Sequence, residues 1–318
     1  MPDAQQPTLG TLADVKAGGK AALARALADI EARPYAPDWA ALLDEACADP
    51  RGHTLGLTGP PGVGKSTLTA ALIRAWRDRG QTVGVIAVDP SSARTGGALL
   101  GDRIRLNTDP EDDGVFVRSM AAGDRLGGLA SATAPAMVLM RALFDMVVVE
   151  TVGVGQSETG VEAVADTAAF CIQPGAGDAL QFMKAGIMEV PDLFVVLKAD
   201  LGPVAERARA DVMGAVGLTP LSPDAWLPPV MIASAAEGRG LDTLLAAVAR
   251  HRDWLHETGA LDHRRRRQMR GWLEEDVRVR FGQAGIALVH DDIAAIDDRP
   301  FAALSRLIGS LDVRRTDR

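Results

Sequence analysis

The residues best suited to chemistry stand together at Gly59-Pro60-Pro61-Gly62-Val63-Gly64-Lys65-Ser66. They match G-x-x-x-x-G-K-[ST], the P-loop spacing. Its glycines let successive backbone N–H groups turn inward onto phosphate oxygens. In that pattern Lys65 bridges β- and γ-phosphates and Ser66 ligates Mg²⁺. Residues 54–57 before the motif read as a short buried strand, and residues 65–79 after it as a helix. The helix aims its positive end at the phosphates.

A phosphate loop alone does not choose between ATP and GTP. Residues 146–149 read as a strand ending at Glu150, followed by Thr151-Val152-Gly153. That order puts a carboxylate at a strand end and Gly153 where a γ-phosphate would lie. A strand-end carboxylate holds Mg²⁺ directly or through water; its bland alternative is a solvated strand end. Asp89 ends the neighbouring strand, 82–88, and is a second candidate for the metal, with capping of the Pro90-Ser91-Ser92 turn as the alternative.

Residues 168–172 and 193–197 form further buried strands, the second running into Lys198-Ala199-Asp200. Guanine-reading loops carry Asn-Lys-x-Asp at such a place. Asp200 can accept from guanine N1–H and the 2-amino group. Adenine offers neither donor, so a buried Asp there rejects ATP. The stem of Lys198 can lie on the purine face. Leu197 stands where the pattern has Asn, and it can neither contact N7 nor tie this loop to the P-loop by a hydrogen bond. That loss is worth about 0.5–1.5 kcal/mol, so GTP preference is expected to survive with weakened binding. Ser234-Ala235, at the end of strand 230–233, fit a last base loop whose backbone N–H meets O6.

Hydrolysis needs a positioned water and compensation of developing charge. Val154, not Gln, follows Gly153. Gln156 lies three residues on and reaches a water only if its loop folds back. Arg94 is a candidate charge stabiliser, competing with a role in tying down its own loop. Lys65 and Glu150 complete the candidate catalytic set. Intrinsic turnover is expected to be slow.

The elements that must position these groups alternate. Short Val-rich strands separated by helical stretches predict an α/β fold of the P-loop NTPase type, with a mainly parallel sheet flanked by helices. Helical rhythm over 15–32, with Leu23, Leu27 and Ile30 on one face, and over 38–48 predicts an N-terminal helical extension, residues 1–52. The GTPase core spans 53–251. Helical patterns over 241–257, 263–281 and 301–311 predict a C-terminal helical region, 252–318. The chain has 318 residues and a net charge of −8, with 47% apolar residues. An acidic chain argues against nucleic acid as partner. No apolar run approaches the ~20 residues of a membrane helix, no secretory signal is visible, and two distant cysteines suit a reducing cytoplasm. The run Arg264-Arg265-Arg266-Arg267 reads as a solvated helical face, or as a face for an acidic partner.

The boxes Val88-Asp89-Pro90-Ser91-Ser92, Arg94-Thr95-Gly96-Gly97, Leu100-Gly101-Asp102-Arg103, Glu150–Glu158 and Pro174-Gly175-Ala176-Gly177-Asp178 resemble those of the MeaB/ArgK GTPases. The resemblance spans roughly residues 15–285. It implies a homodimeric G-protein chaperone of an adenosylcobalamin-dependent acyl-CoA mutase, typically methylmalonyl-CoA mutase, which gates cobalamin loading and protects the enzyme. It further implies that Lys65, Ser66 and Thr67 bind phosphate and Mg²⁺, and that Asp89, Asp102 and Glu150 surround the metal. Loops 94–105 and 153–158 would be the switches. Segment 173–189 would couple nucleotide state to the partner through Asp178 and Lys184. The tail after Gly282 does not resemble the family. A P-loop kinase acting on a transport protein, a GTPase metallochaperone and an inert nucleotide-binding scaffold are the competing readings. The histidine spacing shows no helix-borne zinc pair.

Overall fold

The computed structural model of the chain describes residues 10–33, 36–89, 108–121, 132–151, 160–175, 191–218, 222, 224–296 and 298–316. Seven strands lie within them: β1 (His53–Thr58), β2 (Val83–Asp89), β3 (Val115–Ala121), β4 (Met146–Glu150), β5 (Thr167–Ile172), β6 (Leu193–Val196) and β7 (Val230–Ile232). They form one sheet in the order β3-β2-β4-β1-β5-β6-β7, with every pairing parallel. The chain leaves β1 toward β2 and β3, returns through β4, and continues on the other side with β5. The loops after β1 and β4 therefore meet at the carboxyl edge, where open parallel sheets bind ligands.

Side-chain alternation along the strands decides which helices cover which face. Val147 and Val149 of β4, with Ile86 of β2, join one core cluster, and Met146 and Val148 join another. The first face is covered by α2 (Gly19–Ala32), α3 (Pro37–Ala48) and α5 (Thr133–Leu143); the second by α4 (Lys65–Arg77) and α7 (Leu241–Glu257). Between α5 and α7 comes α6 (Pro203–Val216), which packs on Phe170 and Phe194. Leu27, Ile30, Trp39 and Leu43 are buried against the sheet side, so the N-terminal helices belong to the core.

Three details depart from the sequence reading. The first helix is split into α1 (Leu12–Ala17) and α2 at Gly18-Gly19, where Gly19 takes φ 58°. Thr11 and Asp14 form a reciprocal capping box that starts α1. Strand β3 had no clear pattern because Arg118 and Ser119 interrupt it. Arg118 is accounted for by Glu31 of α2, to which its Nε and Nη2 donate at 2.9 and 2.6 Å.

The third concerns the arginine run. The last long helical segment, α8 (Ala260–Ala294), is broken at Gly282 (φ 68°, ψ −168°). There the chain turns so that Val289 and Ile293 pack near Leu273 and Val277, joined by α9 (Pro300–Thr316). Asp44 of α3 caps α9 from outside, accepting from the Phe301 and Ala302 N–H groups at 2.9 and 3.1 Å. Near its start α8 carries Arg264 and Arg265, which are not a solvated face. Arg264 donates to both Asp192 oxygens at 2.7 and 2.9 Å. Arg265 donates to both Asp166 oxygens at 2.8 and 2.7 Å. Arg267 alone of the pair that follows has a described ion pair, with Glu162 at 3.6 Å, and it is exposed.

Asp166 and Asp192 lie at the amino edge of the sheet, just before β5 and β6. Asp166 also accepts from the Thr54 N–H at 2.8 Å, and Asp192 from the Ala168 N–H at 2.8 Å. Between them runs a buried chain: His53 Nε2 to Thr167 Oγ1 at 2.7 Å, then Thr167 Oγ1 to His251 Nδ1 at 2.7 Å. His251 Nε2 faces Asp192 at 3.3 Å. The threonine has one hydrogen, so one imidazole accepts from it and the other donates to it.

Candidate functional site

The P-loop follows β1 directly. Gly59 takes φ 134°, and a Cβ there would sit 2.3 Å from the Cys171 carbonyl oxygen of β5. Only glycine lets the loop leave the sheet so close to its neighbour. Gly64, at φ 114°, caps α4, and Lys65 is the first helical residue. The buried Lys65 ammonium donates to the carbonyls of Gly59 at 2.7 Å and Pro60 at 3.1 Å. Pro61, Gly62 and Thr67 are exposed, whereas Val63 is buried in the core.

Glu150 pairs with Leu57 in the β1–β4 register, which brings its side chain to the first turn of α4. Ser66 Oγ donates to Glu150 Oε1 at 2.6 Å. Thr69 Oγ1 lies 3.0 Å from Glu150 Oε2 and 3.0 Å from the Lys65 carbonyl, sharing one hydrogen between two acceptors. Thr69 was not singled out from sequence. Its signal was present: it stands four residues after Lys65 and three after Ser66, on one helix face.

The donor set suits Mg²⁺. A hydroxyl and a carboxylate already in contact are hard oxygen ligands, and Mg²⁺ is commonly held by one or two such groups with phosphates and water. Among the described residues no group of three or more His, Cys, Asp or Glu side chains is arranged to hold a metal on its own. Ala87 pairs with Glu150 in the β2–β4 register, so Asp89 lies two residues beyond, at the same carboxyl edge. The Asp89 side chain lies outside the described residues, as do Arg94, Asp102, Gly153, Gln156, Asp178 and Lys184.

The base-reading loops come from the ends of β6 and β7. Leu197 N–H donates to the Ile172 carbonyl at 2.9 Å, holding the turn against β5. Lys198 takes φ 56°, the left-handed region that a non-glycine residue enters at a cost. Its Nζ lies 3.5 Å from the Gly62 carbonyl, so this loop touches the P-loop. Ala199 N–H donates to the Ala233 carbonyl at 3.1 Å. Ser234 Oγ donates to Asp200 Oδ1 at 2.7 Å. That hydrogen bond holds the exposed Asp200 carboxyl below its usual range. Arg239, a second residue sequence reading did not single out, returns from the next turn. Its Nη2 donates to the Ala199 carbonyl, and its carbonyl accepts from Ser234 N–H at 2.9 Å. Ala235 is half-buried beside the α4–α7 core. No spacing rule marks Arg239.

Thus Lys65, Ser66 and Glu150 share one cluster, and Lys198, Asp200 and Ser234 share another that contacts it. No helix among the described residues is long and apolar enough to cross a membrane.

The family model described as methylmalonyl Co-A mutase-associated GTPase MeaB matches residues 23–287. A protein of Caulobacter vibrioides with a provisional GTPase name is 42% identical over 274 residues, covering 84% of each chain. A methylmalonic aciduria type A homolog, mitochondrial, of Caenorhabditis elegans is 36% identical over 228 residues, 70% of this chain and 57% of the relative. Among solved structures, one described as a LAO/AO transport system kinase superposes with a TM-score of 0.65 at 29% identity, covering 95% of this chain and 96% of the other.

Proposed function

The chain belongs to the methylmalonyl Co-A mutase-associated GTPase MeaB family, and from that membership we propose that it is a GTP-hydrolysing chaperone. The cycle of GTP to GDP and phosphate would gate adenosylcobalamin loading and protection of a B12-dependent acyl-CoA mutase, methylmalonyl-CoA mutase first among candidates. The relatives named for methylmalonic aciduria support that partner. We assign the unit a cytoplasmic location and a homodimeric state, joined through the helical regions 1–52 and 252–318 that flank the GTPase core 53–251.

The observation that carries the reading is the contact of two clusters, a phosphate cradle and an Asp200 carboxylate fixed by Ser234 at 2.7 Å. The backbone of Gly59, Pro60, Pro61, Gly62, Val63 and Gly64 wraps the phosphates. Lys65 exchanges its two carbonyl partners for the β- and γ-phosphates. Ser66, beside Thr67, and Glu150 would hold Mg²⁺, with Asp89 and Asp102 as further candidate ligands; such an ion would supply charge neutralisation at the phosphate oxygens. Asp200 accepts from guanine N1–H and the 2-amino group, Lys198 lies on the purine face, and the Ser234-Ala235 backbone meets O6. Gly153 senses the γ-phosphate. Gln156 orients the water that attacks phosphorus in line, and Arg94 offsets the charge that develops. Reliance on Gln156, three residues past Gly153 rather than directly after it, would make unaided turnover slow.

The rival is a kinase, favoured by the name of the related solved structure. A kinase moves the γ-phosphoryl group to an acceptor, whereas a GTPase releases it to water. Single-turnover reactions with γ-labelled GTP, with and without a candidate mutase, separate them. Label recovered as free phosphate, faster with the mutase, supports the proposal. Label recovered on protein overturns it, and a rate indifferent to every mutase removes the chaperone role.

A further inference from the structure

Leu197 occupies the place where guanine-reading loops present an amide, and its surroundings show what replaces that amide. The side chain is 2% exposed and belongs to the same apolar cluster as Val63 of the P-loop. Its Cδ1 lies 3.6 Å from the position of a Cβ on Gly64. The two loops are therefore joined at this point by packing of a side chain that has no donor and no acceptor. Lys198 makes the neighbouring polar link, to the Gly62 carbonyl. On the base-reading side the Ser234 hydroxyl donates to Asp200, a bond that sets the carboxylate for N1–H and the 2-amino group, and the Arg239 guanidinium is turned to the Ala199 carbonyl.

We infer that this site reads guanine through its Watson–Crick edge and the O6 contact and is blind to N7. The inference rests on the guanine reading above and sharpens it: Leu197 is a specificity-determining residue that widens the accepted ligands to guanine nucleotides altered at N7. A ring nitrogen that receives no hydrogen bond from the protein can be replaced by C–H without losing a protein contact.

The test is competition binding of GDP, 7-deaza-GDP and ADP to the full chain with Mg²⁺. Wild-type protein is expected to bind 7-deaza-GDP within about twofold of GDP, and ADP far more weakly. Leu197→Asn is expected to bind GDP about three- to tenfold more tightly, the size of one net hydrogen bond, while 7-deaza-GDP lags behind by a similar factor. A wild-type preference of threefold or more for GDP over 7-deaza-GDP overturns the inference, because some other donor then reaches N7. That result needs no variant, so it stands even where Leu197→Asn folds poorly. ADP binding as tightly as GDP overturns the guanine reading itself, a different and separately visible outcome.

Discussion

The two edges of the sheet treat charge differently. At the carboxyl edge Lys65 and Glu150 are held by carbonyls and hydroxyls that a ligand can displace. At the amino edge Asp166 and Asp192 are buried and each meets an arginine through two oxygens. Burial alone would raise the Asp166 carboxyl, but the Arg265 hydrogen bonds, with the Arg141 and Arg265 charges, hold it well below the carboxylate range. Asp192, buried too, is drawn down to about 2 by Arg264 and His251. The lesson is one of exchangeability. The same side-chain types make a site where their partners can leave, and a clamp where they cannot. Here the clamp fastens α8 to the amino edge of the sheet, away from the P-loop.

That contrast can be broken at either edge. The largest effect is expected from Asp166→Asn, which leaves Arg265 and Arg141 without their shared carboxylate. Removing one partner of a buried ion pair costs about 3–5 kcal/mol. Urea unfolding should show a loss of that size, and a loss below about 1 kcal/mol would mean the amino edge is no clamp.

Acid is expected to act on the same edge. Burial holds His53 down to about 4 from an ordinary 6.5. The unfolded chain therefore takes up its proton first as pH falls, and stability is present above pH 6.5. It declines from there toward pH 4, by up to about 3 kcal/mol. Asp166 and Asp192 keep their charge through that window. His53→Gln should flatten the slope, and an unchanged slope would assign it to other groups.

At the carboxyl edge Lys65→Ala should lower single-turnover GTP hydrolysis about 100-fold, equivalent to about 2.7 kcal/mol, with unfolding in urea little changed. A fall in stability matching the fall in rate would erase the distinction between site and clamp. The smallest effect is expected from Thr69→Val. It removes a shared hydrogen bond to Glu150, worth about 0.5–1.5 kcal/mol, and should raise the Mg²⁺ concentration needed for half-maximal hydrolysis about threefold. No shift would remove Thr69 from the Mg²⁺ support.

The two edges also differ in how far sequence exposed them. The P-loop, the Glu150 strand end and Lys198-Ala199-Asp200 were legible because each depends on local spacing after a strand. Six of the seven strands followed from short apolar runs; β3 did not, since Arg118 is explained only by Glu31, 87 residues away. The amino-edge clamp joins residues 72 and 99 positions apart, Arg264 to Asp192 and Arg265 to Asp166. Nothing local in an arginine run reveals two buried carboxylates, so the run read as solvated. Arg239 escaped for the same reason, and Leu197 was visible only as a departure whose packing needed the folded loop.

We propose that Asp200 selects guanine. The most direct measurement is competition among GTP, ATP and XTP for wild-type protein and Asp200→Asn. Wild-type protein is predicted to bind GTP far more tightly than ATP or XTP. The variant should turn toward XTP, because an amide N–H can donate to the xanthine oxygen that replaces the 2-amino group. ATP binding to wild-type protein at least as tightly as GTP, or an Asp200→Asn variant with unaltered preference, would contradict the claim.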